Sequence, residues 1–227
     1  MIHLLAPLPY AADALEPHVD ARTMTLHHDM HHAAYVKALN TVLSAAPDEL
    51  KDKTPEWLMS NLSQAPLAIR AEIRHQAGGH LNHSLLWANM SPRGGGTPDG
   101  TLAAAIKRGF DSIETFKTRF EQAGAKHFGV GWVWLVVGPS PQLNLHILTT
   151  NEHDNPLTEG YQPLLVNDLW EHAYYLKHEN RRPDYLHNWW AVVDWSAVEK
   201  RYTHAVSAAQ NEDRPQGDAV IALSAVH

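Results

Sequence analysis

From Asp20 to Leu43 the positions Met24, His27, Met30, Ala34, Val36 and Leu39 stand among polar residues at mostly helical intervals, with Pro47 beyond them, which predicts one long helix. A second helix is expected from about Ala65 to Met90. It must stop at the stretch from Ser91 to Gly100, whose glycines and prolines cannot continue a regular element. Beyond that punctuation, Thr101–Arg108 and Asp111–Lys126 read as helices, the second opened by Asp111 with Glu114 three residues later as a capping box. Then the period changes. Trp132–Val137 and Leu143–Leu148, rich in β-branched and aromatic residues and joined through Gly138-Pro139-Ser140-Pro141, predict an antiparallel hairpin. Asp168–Lys177 is a mixed segment and Asp184–Val206 is expected to be helical.

The fold class expected is therefore α+β: an N-terminal helical hairpin (residues 1–92) followed by an α/β domain with a small antiparallel sheet (93–206). A tail from 207 to 227, polar and then apolar around Pro215, is expected to be poorly ordered. No internal repeat is visible.

Composition narrows what such a fold can do. A formal charge of -7 leaves no basic stripe for nucleic acid. The absence of cysteine removes thiolate zinc sites, iron–sulfur clusters, disulfides and cysteine nucleophiles, so any metal must be held by nitrogen and oxygen. The longest apolar run, Val130–Val137, is far short of the ~20 residues that span a bilayer. Prolines at positions 7 and 9 interrupt the apolar start, so a cytoplasmic protein is expected, with no membrane partner.

Seventeen histidines are the compositional anomaly. On a helix, His27, His31 and Tyr35 share one face and His28 and His32 a neighbouring stripe, but an amphipathic helix with surface histidines fits the same spacing. In Gly78-Gly79-His80-Leu81-Asn82-His83 a glycine pair inside a helix costs about 1–2 kcal/mol relative to alanine, which points to a close approach by a bulky group or to a helix crossing. In Asp168-Leu169-Trp170-Glu171-His172 the carboxylate and imidazole can reach one ion; a buried ion pair between Asp168 and an arginine is the alternative. Taken together, His27 and His83 from the first part and Asp168 and His172 from the second would bracket a metal between the domains. Such an N/O set suits manganese or iron.

These segments resemble the iron/manganese superoxide dismutases. The resemblance runs through Leu8-Pro9-Tyr10, Leu15-Glu16-Pro17-His18, the His27 helix, Gly78–His83, Phe128–Leu135, Asp168–Tyr175 and Asn180–Tyr185 to about Tyr202. It implies that His27, His83, Asp168 and His172 hold one Mn or Fe ion per subunit, and that His31 and Tyr35 gate a substrate funnel and feed protons. Trp132, Trp134 and Trp170 match the family's aromatic wall, and Arg182 matches an arginine near the funnel; Tyr175, which with Trp170 flanks the Asp168 and His172 pair, is expected from its place in that string to dry the site and restrict access. Glu171 matches the residue that bonds a ligand histidine of the other subunit, which implies a homodimer or a pair of dimers. The implied reaction converts superoxide to dioxygen and hydrogen peroxide by alternate reduction and oxidation of the ion.

One departure bears on the metal. Most manganese members place a glutamine from the hairpin region against the metal-bound solvent, and many iron members supply one from the position held here by Gly79. His153 occupies the hairpin position instead. Because outer donors tune a metal's potential, the choice between manganese and iron stays open. Two other functions fit an N/O site: a non-redox zinc hydrolase, for which no H-E-x-x-H is present, and a metal-binding protein without turnover, which would need no proton-relay residues such as His31, Tyr35 and His153.

Overall fold

The computed structural model describes residues 2–139 and 141–212. Residues 21–44 run as one helical rod in three parts: α1 (Ala21–Leu26), a π-helical stretch (His27–His32) and α2 (Ala33–Ser44). Asp20 starts it by accepting a hydrogen bond from the Thr23 amide. Short helices α3 (Asp48–Lys51) and α4 (Pro55–Ser60) lead to α5 (Leu67–Ala88), which returns against α2. Leu39 and Leu43 of α2, Leu58 and Met59 of α4, and Ile73 and Ala77 of α5 form the hairpin's own core.

The second part opens with α6 (Gly100–Phe110) and α7 (Ile113–Lys126). The cap of α7 is Ser112, which accepts from the Thr115 amide, and not the expected Asp111. Asp111 is at φ 70°, in the reversal that ends α6, and so cannot take the extended conformation of a capping residue. Strands β1 (Gly131–Val137), β2 (Leu145–Asn151) and β3 (Gln162–Asp168) form an antiparallel sheet in the order β2-β1-β3. The hairpin's second strand starts two residues later than the expected Leu143, because Leu143 is at φ 48° and a Gly138 N–H to Asn144 bond closes the loop behind it. Every residue of β1 is buried, as its unbroken apolar run requires of a central strand covered on both faces. The sequence reading contains no third strand: Pro163 interrupts the pattern of β3, which an edge strand tolerates.

A short turn of helix, α8 (Tyr175–His178), precedes α9 (Arg182–Trp189) and α10 (Trp195–Glu212). The single helix expected from 184 to 206 is thus two. Backbone bonds from Ser91 and Gly95 to the carbonyls of Val192 and Val193 pull the chain straight there, and Asp194 then caps α10 through the Ala197 amide. α10 continues through residues 207–212 of the expected tail, whose alanines favour helix; the remainder of that segment lies outside the described residues. The main core joins α6, α7, the sheet, α9 and α10, and takes in Leu86 and Trp87 from α5. Among the described residues no helix is long and apolar enough to cross a membrane.

Candidate metal centre

Sheet register decides where the chemistry gathers. Trp132 at the start of β1 pairs with Thr150 near the end of β2 and with Asp168 at the end of β3. The antiparallel order thereby brings Trp132, Asp168 and His153, just past β2, to one end of the sheet. Against that end lie the π-helical stretch with His27 and the C-terminal part of α5 with His83.

His27, His83, Asp168 and His172 each offer one ligand atom, and these atoms all lie within 4.8 Å of one another. Asp168 Oδ2 is 3.0 Å from His27 Nε2, 3.2 Å from His172 Nε2 and 3.8 Å from His83 Nε2. Its other oxygen accepts from the Trp170 amide at 2.8 Å, which fixes the carboxylate plane. The alternative of an ion pair between Asp168 and an arginine is not what the geometry contains; its neighbours are imidazoles. His83 Nδ1 donates to the Gly79 carbonyl at 2.6 Å, so Nε2 is left without a proton and free to ligate. His27 Nε2 and His83 Nε2 are buried with no hydrogen-bond partner, a cost a protein carries only where something else satisfies them. Burial holds His27 down at about 4 and His83 well below the ordinary histidine range, so both rings are neutral near pH 7. Burial acts to raise the Asp168 carboxyl, but the adjoining His172 and His27 override it and keep it far below the usual carboxylate range. Three imidazole nitrogens, those of His27 and His83 without a partner, and one carboxylate oxygen converging in a largely buried site are a fit for one Mn or Fe ion.

Around this group the rings pack both face to face and edge to face. His31 stacks on His172 at 4.1 Å, and Tyr35 on His83 at 5.3 Å. Tyr35 also meets His153 edge-on at 4.4 Å, and burial, then the Asp168 charge, push its phenol up to about 12. Trp132 stands edge-on to His83 at 5.0 Å, while Trp134 is a layer further back and bonds Thr150. Trp170 lies flat on His153 at 4.6 Å and against His172 at 5.6 Å.

His153 is 1 % exposed. The Trp132 indole N–H approaches its Nδ1 at 3.3 Å. Burial lowers the ring to about 3, so it is neutral, and with Nδ1 accepting its proton sits on Nε2, which has no partner. Two glycines make this possible. A Cβ on Gly78 would come within 2.0 Å of the His153 carbonyl oxygen, and one on Gly79 within 2.8 Å of the Tyr35 ring. The close approach anticipated for the glycine pair is therefore made by the His153 backbone and Tyr35, and a side chain at position 79 has no room while Tyr35 stays in place.

Arg182 donates to the carbonyls of His127, Gly129 and Leu169 and to the Tyr174 hydroxyl, which makes it a strut for the rim. With Phe128, Trp170, Glu171 and His172 it lines a surface depression of about 420 Å³. Within one chain, Glu171 and Tyr175 stand apart from the group: both are exposed, Tyr175 by 48 %, while the intervening Ala173 and Tyr174 turn inward. Two participants have no counterpart in the sequence reading. Asp154 pairs with Arg74 of α5 beside His153, and the His75 ring lies 4.8 Å from His153. The only local signal for Arg74 and His75 is their place one turn before the glycine pair.

Comparison with known proteins gives a consistent result. Residues 2–91 match the alpha-hairpin domain of iron/manganese superoxide dismutases, and residues 98–201 match the C-terminal domain of the same family. The chain is 52 % identical over 203 residues to superoxide dismutase [Mn] 1 of Leptolyngbya boryana, covering 88 % of this chain and 81 % of that one. It is 46 % identical to superoxide dismutase [Mn] of Pseudomonas aeruginosa, covering 91 % of this chain and all of the other. A similar enzyme of Listeria monocytogenes, also superoxide dismutase [Mn], is 45 % identical over 90 % of this chain and all of its own.

Proposed function

The chain belongs to the iron/manganese superoxide dismutase family, and from that premise we propose that His27, His83, Asp168 and His172 hold its single Mn or Fe ion. The protein is a superoxide dismutase. The bound ion supplies a redox centre through which two superoxide anions and two protons become one dioxygen and one hydrogen peroxide. The observation that carries the ligand assignment is the pair of buried, unpartnered Nε2 atoms of His27 and His83 facing the Asp168 carboxylate.

The chain's own groups provide what that chemistry needs. Trp132, Trp170 and Tyr35 wall the centre from bulk water and so strengthen every charge interaction inside it. The Nε2–H of His153 and the Tyr35 hydroxyl are donors held beside the centre, suited to orient a small anion and release protons to the forming peroxide. His31, stacked on His172 and only part-buried, lines the way in. A protein of net charge -7 needs a local field to attract an anion, and Arg182 at the rim of the depression supports one.

Manganese is the metal we favour, since the relatives above carry it in their names, with His153 as the group that sets how well iron works in its place. Glu171, exposed beside His172 and next to the exposed Phe128, Tyr175 and Leu176, supports a homodimer formed across this surface. Size measurement in solution distinguishes that dimer from a pair of dimers. A cytoplasmic site of action completes the reading. Metal analysis of the purified protein, followed by reconstitution with Mn, Fe and Zn separately and a dismutation assay, tests it. Activity is expected with Mn or Fe, and activity with none of the three or with Zn alone would overturn it.

A further inference from the structure

We propose that His75 is an outer proton relay, passing protons between solvent and the Tyr35–His153 pair. The proposal rests on the dismutase reading above and adds a residue and a route to it.

The geometry begins with the way α5 docks on the loop after β2. Arg74 forms an ion pair with Asp154, and the Gly78 backbone lies against the His153 carbonyl. Between these two anchors the His75 ring is held 4.8 Å from the His153 ring at 63° and 5.9 Å from the Tyr35 ring at 68°. His75 is only part-buried, and among the described residues neither of its nitrogens bonds to the protein. His153 is closed in on its other sides by Trp170, stacked flat on it, and by the indole of Trp132. Tyr35 is closed in by His83 on one face. Of the rings packed against His153 and Tyr35 among the described residues, other than each other, His75 alone belongs to a titratable side chain that is neither a proposed metal ligand nor fully enclosed.

The reaction consumes two protons for each hydrogen peroxide formed, and donors beside the centre must be recharged from water before the next turnover. Imidazole is the side chain that takes up and releases protons near neutral pH. A protonated His75 gives its proton, directly or through one water, to the member of the pair that has just lost one, and the neutral ring takes a replacement from solvent. One proton enters for each that leaves. The titratable groups facing His75 are His153, from the loop after β2, and Tyr35, from α2; on its own helix the adjoining Arg74 is turned to Asp154.

Packing alone would also place a ring here, and two variants separate the roles. His75→Phe keeps the ring without a transferable proton, and His75→Ala opens a space that added imidazole can fill. In the Mn-loaded enzyme, His75→Phe is expected to lower kcat by about five- to tenfold, less than the ~10²–10⁴-fold of a sole acid–base group because the His31 side also leads out. kcat/KM should change by less than about twofold, and imidazole should restore most of the kcat lost in His75→Ala. A readout independent of turnover is the exchange of the His153 Nε2 proton with water, followed by NMR in the diamagnetic zinc-loaded chain; it should slow in His75→Phe. Wild-type kcat and exchange in His75→Phe would overturn the relay. So would a parallel fall of kcat and kcat/KM that imidazole does not restore. A wild-type enzyme inactive with both Mn and Fe would overturn the dismutase reading instead, and the exchange measurement would still decide the relay.

Discussion

Two histidine clusters lie back to back in this molecule, and they differ in what their nitrogens do. In the first, His27, His83 and His172 aim nitrogens at one carboxylate oxygen and find no hydrogen-bond partner for His27 and His83. In the second, the Trp87 indole donates to His32 Nδ1 at 3.0 Å, which leaves the His32 proton on Nε2, and Nε2 meets His80 Nδ1 at 2.7 Å. His28 alongside spends both nitrogens, one on Asp29 and one on the Ala6 carbonyl. Burial lowers His27 and His83 in the first cluster and His32 and His80 in the second, so these four rings are neutral near pH 7. What separates a ligand set from a polar core is convergence of unpartnered atoms on one point with a counter-charge.

The sharpest way to break this comparison is to remove a member of the first cluster. His83→Ala or Asp168→Asn should lose metal, measured as metal per chain, and reduce activity by more than the ~10–100-fold typical of losing an outer-shell partner. Full metal content and activity in either variant would place the ion elsewhere. His153→Ala lies one step out: activity should fall by about 10–100-fold or shift in favour of one metal on reconstitution, with metal still bound. Equal rates with Mn and Fe in wild type and variant alike would deny His153 that role.

The second cluster should respond in the opposite sense. His80→Leu strands the buried His32 N–H and should cost about 1–3 kcal/mol in denaturant unfolding while metal per chain stays at the wild-type level. Loss of metal without loss of stability would erase the distinction. A further effect is shared by both. Burial, the first cause in each case, lowers His32 to about 3 and His27 and His80 to about 4 in the folded protein. The unfolded chain takes up protons at these residues near the ordinary value of ~6.5, so it binds more protons than the folded one below that pH. Stability of the metal-free chain should therefore be level above about pH 7 and decline as pH falls from about 6.5 towards 4. Thermal melts across that range read it directly, and a rise in stability on acidification would show that these rings are charged when folded.

Much of this was legible in residue order, because the signals are local. Helical intervals and the Asp20 cap place residues 21–44, and the Gly/Pro stretch from 91 to 100 ends the hairpin. The absence of cysteine restricts any metal to nitrogen and oxygen, and His27, His83, Asp168 and His172 sit in strings specific enough to be recognised. Other features depend on groups far apart in sequence. The spacing of His27, His28, His31 and His32 does not say which of them find partners across the molecule. The π-helical stretch buries His27, His28 and His32 together, and only the arrival of Trp87 and His80 assigns His32 to the structural cluster. β3 is invisible as a local pattern and exists because β1 offers it an edge; yet its register with Trp132 is what carries Asp168 to the centre. His75 likewise looks like any helix residue until the fold lays His153 against it. Sequence alone determined which donor atoms the chain can offer and which helices carry most of them. Tertiary packing decided which nitrogens are left unpaired and where they meet, since that depends on non-local register and on the groups that close around each ring.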